Sequence, residues 1–146
     1  MKRVRFSALL VGVGALVGTV SCTPDIPLPA TSTTVRVEMD EYTFALDSEI
    51  ERGRVVFQTV NIGEEDHEII VSPLPPDFPP LLEQLRSDTR RTTETFYILP
   101  VQEPGERGAF ALDLKPGRYG FICFLLNEAD ETSHAREGMA TEFTVR

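Results

Sequence analysis

The sequence has no tryptophan, two cysteines, three methionines and two histidines in 146 residues. Two cysteines are too few for a disulfide-stapled mini-scaffold. Basic side chains are also scarce, 14 against 23 acidic ones, for a formal net charge of -9. That balance argues against nucleic acid as a partner, because neutralising phosphates needs a basic surface. No glycine-rich phosphate loop follows a strand; Gly12 and Gly14 belong to an apolar leader. A Gly-x-Ser-x-Gly elbow is missing too, and Ser133 abuts His134 directly, which is not how a nucleophile meets its base. Cys123 ends a β-prone run with no helix start to activate it as a thiol nucleophile. The residues therefore point away from an enzyme. Eleven prolines and ten glycines argue against a helical bundle.

No apolar run reaches the roughly 20 residues of a membrane span. The longest, from Phe6 to Val20, has 15 residues and follows the basic Lys2, Arg3 and Arg5. A basic start and a short apolar stretch make residues 1–21 a secretory signal peptide. Val20, Ser21 and Cys22 resemble the end of a bacterial lipobox, although Thr19 stands where that pattern usually has an aliphatic residue. This resemblance implies a lipid on Cys22 and a membrane-anchored, periplasmic or extracytoplasmic protein. The alternative is ordinary cleavage near Ser21 with Cys22 left as a thiol. Removing residues 1–21 takes away three basic residues and no acidic one, leaving 11 against 23 and a net charge of -12. Residues 22–34, rich in proline and threonine, read as an extended spacer.

Residues 35–146 remain for one folded domain. Val35, Val37 and Met39 alternate with polar residues, the mark of a half-buried strand. Further strands are expected over Tyr42–Leu46, Arg54–Ile62, His67–Val71, Thr92–Leu99, Ala109–Leu114, Tyr119–Leu125 and Thr141–Val145. Turns at Gly53, Gly63, Pro104–Gly105 and Pro116–Gly117 separate several of them. Five prolines between Ser72 and Pro80 argue against a central strand there, and residues 80–91 read as a short amphipathic helix. The expected fold is an all-β Greek-key sandwich of seven to eight strands with one helical insert.

His67, Cys123, His134 and Met139 are side chains that bind soft or borderline metals. Cys123 continues the alternation of Tyr119 and Phe121, and the polar loop 127–137 leads to His134 and Met139. In a sandwich, strand ends and strand starts meet at one pole.

Three segments carry a resemblance: Asn61-Ile-Gly-Glu-Glu-Asp-His67, Leu114-Lys-Pro-Gly-Arg-Tyr119, and Tyr119-Gly-Phe-Ile-Cys123 with His134-Ala-Arg-Glu-Gly-Met139. They resemble the copper-binding segments of cupredoxins, the plastocyanin-like type 1 blue copper proteins. The resemblance implies one copper ion, with His67, Cys123 and His134 as equatorial ligands and Met139 as the axial one. It further implies single-electron transfer between redox protein partners. The ten residues between Cys123 and His134 are more than well-known members have. Glu64, Glu65, Asp66 and Glu68 around His67, with Glu128, Asp130 and Glu131 in the long loop, form either a solvated surface or a patch that steers a basic docking partner. A copper chaperone or storage protein on the same fold is the alternative function. A metal-free sandwich using the proline-rich segment as an interface is the other.

Overall fold

The computed structural model describes residues 32–87 and 95–146. The signal peptide, Cys22, most of the proline–threonine spacer and the far end of the expected helix lie outside the described residues. Among the described residues eight strands run in chain order: β1 (Thr33–Asp40), β2 (Thr43–Leu46), β3 (Gly53–Asn61), β4 (His67–Leu74), β5 (Tyr97–Gln102), β6 (Arg107–Leu114), β7 (Gly117–Ile122) and β8 (Ala140–Val145). Two short helices join them, α1 (Leu81–Arg86) before β5 and α2 (His134–Glu137) before β8. The strands form two sheets, ordered β2-β1-β3-β6 and β5-β4-β7-β8. β1 pairs with β3 in parallel, Val35 opposite Phe57 and Met39 opposite Asn61, whereas the other pairings are antiparallel.

Alternation decides which residues fill the space between the sheets. Val35, Val37 and Met39 of β1 meet Phe57 of β3, Phe110 of β6, Ile69 and Val71 of β4 and Phe121 of β7. Phe121 is the hub of an aromatic cluster, edge-on to Phe44 and Phe57 at 5.9 and 5.3 Å and 4.8 Å from Phe143 between ring centres. Such side chains are each worth about 1.5–3 kcal/mol when buried, and offset or edge-on ring contacts add to this.

The second sheet is buried on its outer face as well. Leu74, Phe78, Leu81, Ile122, Ala135 and Ala140 form a smaller core there, with Ile70, Leu82 and Leu85 packed against it. The proline-rich segment and α1 thus cover their own sheet, with Phe78 and Leu81 buried, and do not present these side chains as an interface. Arg118 braces the segment: it donates to the carbonyl of Phe78 at 2.7 Å and pairs with Glu142, whose other carboxylate oxygen accepts the N–H of Leu81.

Two expectations need correction. β4 does not stop before the prolines but runs through Pro73 to Leu74, between β5 and β7. Proline is tolerated because β5 pairs with β4 only as far as Val71, so Pro73 forgoes no bond on that side. The loop 127–137 is not wholly irregular, because its last turn is α2.

Candidate metal centre

Four connections meet at one pole of the sandwich. Asn61, at the end of β3, ties two of them together, the β3–β4 loop and the β5–β6 turn. Its side-chain amide donates to the carbonyls of Glu65 and Gln102 at 2.7 and 2.9 Å, its carboxamide oxygen accepts the N–H of Gly63, and its own carbonyl accepts the N–H of Gly105. The loop between β3 and β4 is thereby fixed up to His67, the first residue of β4. A register shift follows between His67 and Ile69. An irregularity of this kind re-aims a side chain next to a functional site.

Cys123 lies one residue past β7, where strand alternation still points it inward with Phe121. The chain then leaves in a side hairpin. Leu126 bridges Ser133, Asn127 donates its N–H to the carbonyl of Thr132, and His134 donates its N–H to the carbonyl of Leu125. Most of the ten residues between Cys123 and His134 are accordingly looped out, and His134 returns beside Cys123 as if the gap were short. Gly138 closes α2 with φ at +133°, a conformation that a side chain would strain. The chain reverses there so that the Met139 N–H donates to the His134 carbonyl at 2.8 Å and its carbonyl accepts the Cys123 N–H at 3.2 Å.

The side chains converge accordingly. Nδ1 of His67 and Nδ1 of His134 are 3.3 Å apart, and Nδ1 of His134 is 3.6 Å from the sulfur of Cys123. One donor atom from each of the three residues falls within 4.8 Å of the others, and all three residues are buried. Met139 is fully buried in the same core as Cys123.

No protein-family model matches the chain, and neither does any curated protein. Solved structures do. Auracyanin A, a "blue" copper protein from the green thermophilic photosynthetic bacterium Chloroflexus aurantiacus, is 13% identical with a TM-score of 0.52, over 80% of this chain and 100% of its own. Auracyanin B is 21% identical with a TM-score of 0.51, over 82% and 91%. Reduced rusticyanin is 15% identical with a TM-score of 0.51, over 82% of each chain. The chain has the cupredoxin fold.

Two features of this cupredoxin-fold pole were not foreseen from the sequence. Glu41, which reads only as a break between two strands, places Oε1 3.4 Å from Nε2 of His67. This is within ion-pair range but not aligned as a hydrogen bond, and His67 Nε2 has no hydrogen-bond partner among the described residues. Glu65, one of several surface acids in the sequence, places Oε2 3.1 Å from Nε2 of His134. The Tyr42 hydroxyl donates to the same oxygen at 3.5 Å and accepts from the Asn127 amide at 2.7 Å, while its ring stands edge-on to His134 with centres 5.0 Å apart. Only the order of the ligands is visible as a motif; the carboxylate near His67 comes from the β1–β2 turn and the one near His134 from the β3–β4 loop.

Electrostatics follow from this burial. Desolvation pushes the Cys123 thiol up to about 11, although the backbone N–H groups of Glu68 and Leu125 work against it. Desolvation, then the neighbouring His134, lowers His67. Burial raises Glu41, but the N–H groups of Glu65 and Glu64 outweigh it and hold the carboxyl at about 2. In the metal-free protein the folded state therefore binds fewer protons than the unfolded chain at acid pH, and more at alkaline pH. The Glu41 contribution is complete above about 4.5 and is lost as pH falls toward 2; that of Cys123 is complete below about 9 and is lost as pH rises toward 11. Urea unfolding across pH should give greatest stability between about 7 and 9, and Cys123→Ser should make the alkaline fall shallower. An alkaline limb unchanged in Cys123→Ser would contradict the assignment.

Proposed function

We propose that this protein is an exported blue copper protein that carries single electrons between redox partners. The observation that carries the reading is the meeting of two imidazole Nδ1 atoms and a cysteine sulfur in a dry pole of the cupredoxin fold. With metal–nitrogen distances of about 2.0–2.1 Å and a metal–sulfur distance of about 2.3 Å, donors in a trigonal plane stand about 3.5–3.8 Å apart. The separations of 3.3 and 3.6 Å in this chain suit that size. A thiolate, two imidazoles and a weak thioether are the donor set of type 1 copper, and Met139, buried in the same core as Cys123, would supply the thioether.

When bound, copper supplies a one-electron couple. The chain does the rest. Cys123 gives up its thiol proton to become a ligand, so loading is favoured as pH rises. Hydrogen-bonded loops hold the donors in one arrangement, which keeps reorganisation small as the charge changes, and the apolar core beneath them excludes water. Electron carriage asks for no bond to substrate, in keeping with a sequence that has no hydrolytic constellation. Exposed Glu64, Asp66, Glu128, Asp130 and Glu131 surround the pole and suit a redox partner with a basic docking face.

Export is read from residues 1–21, a basic start followed by a short apolar run. A lipid on Cys22 would place the protein at a membrane on its extracytoplasmic side, with residues 23–34 as the tether. Expressed in a bacterium that processes lipoproteins, the chain should partition with membranes and Cys22→Ser should release it; a parent chain found wholly in the soluble fraction would exclude the anchor.

Adding Cu(II) to the purified protein should give an intense visible thiolate-to-copper band. Cys123→Ser should abolish it, and Met139→Leu should keep it with a changed potential. A colourless product, or one that keeps its colour in Cys123→Ser, would overturn the copper reading.

A further inference from the structure

The far sides of both imidazoles face carboxylates, and those carboxylates are themselves held in place. Oε1 of Glu41 accepts the N–H groups of Glu64 and Glu65 at 2.7 and 2.9 Å and stands 3.4 Å from Nε2 of His67. Fixing the backbone of Glu65 also fixes where its side chain starts, and that side chain reaches Nε2 of His134. Asn61 holds the Glu65 carbonyl, and Tyr42 donates to the Glu65 carboxylate. A Cβ at Gly63 would collide with the Glu41 carboxylate, so the glycine makes room for it.

We propose that Glu41 and Glu65 are positioning residues that hold His67 and His134 as Nε2–H tautomers, turn both Nδ1 lone pairs toward Cys123, and favour the more highly charged metal. An imidazole can offer one nitrogen to a metal only when its proton sits on the other. Glu65, 3.1 Å from Nε2 of His134, is placed to accept a hydrogen bond from that proton and fix the ring plane. Glu41, 3.4 Å from Nε2 of His67 and out of hydrogen-bond line, favours the proton on that side by its charge. A carboxylate adds negative charge at the edge of the ring, which makes the imidazole a stronger donor. The imidazoles are buried while the carboxylates reach solvent, with 29% of the Glu41 and 38% of the Glu65 side chain exposed, so this charge acts across the buried ring and is partly screened on its outer side. Glu41 acts on both sides at once, directly on His67 and through the Glu65 backbone on His134. One strand turn, between β1 and β2, therefore orients ligands that come from two other connections.

The tautomer part stands on the metal-free protein, and only the charge part rests on the copper reading. Nitrogen-15 NMR of the histidine rings in the metal-free protein, at a pH where they are neutral, should show both as Nε2–H. Glu65→Ala should lose that preference at His134 and keep it at His67, while Glu65→Gln, which retains an acceptor, should keep it at both. With copper bound, Glu65→Gln and Glu41→Gln should each lower Cu(II) affinity relative to Cu(I) by about tenfold, a rise of about 59 mV in potential for one electron. Nδ1–H tautomers in the parent protein, or a tautomer unchanged in Glu65→Ala, would overturn the positioning role. Potentials of both glutamine variants equal to the parent's would overturn the charge role. Failure to take up copper at all would count against the copper reading and leave the NMR result to decide the positioning role.

Discussion

Two imidazole nitrogens and a thiol sulfur packed within a few ångströms, out of water, form an arrangement a fold does not reach by default. Polar groups removed from solvent cost free energy unless partners are supplied, and Nδ1 of His67 faces Nδ1 of His134 where each would otherwise find water. Everything at this pole compensates for that contact. Asn61 ties the β3–β4 loop down, the side hairpin returns His134 to Cys123, and Gly138 turns the chain so that Met139 bonds to both. Pre-set donors of this sort suit an ion whose charge changes while its surroundings stay put.

The two hydrophobic cores have separate tasks in that account. The core between the sheets carries Cys123 and Met139 on the same inward-facing surface as Phe121. The smaller core on the outer face holds Ala135 of α2 and Ala140 of β8, so the turn bearing His134 is gripped from behind by α1 and the proline-rich segment. An insertion that looks like ornament on a β framework thus becomes the backing of a ligand. It also explains why β7 is apolar on both faces, with Phe121 turned inward and Ile122 outward.

Much of the fold is legible in the sequence because burial enforces period-two alternation: Val35, Val37 and Met39, or Phe110, Leu112 and Leu114, can be read off directly and are buried as expected. The convergence of His67, Cys123 and His134 was legible for a different reason, since so few residues of these types occur that their order carries information. Three features were not legible. Pro73 sits in a central strand because pairing on one side ends early, which is a fact of register and not of residue type. The ten-residue gap is neutralised by a hairpin whose closing bonds are made by the backbone. Glu41 and Glu65 are ordinary surface acids until the turn between β1 and β2 is laid over the loop before β4, a long-range contact with no local signature.

X-ray absorption at the copper edge tests the central claim most directly. The copper-loaded protein should show one short copper–sulfur distance, near 2.1–2.3 Å on the scale of metal–thiolate bonds, and two imidazole nitrogens near about 2.0 Å. A first shell of nitrogen and oxygen alone, with no sulfur at bonding distance, would contradict it.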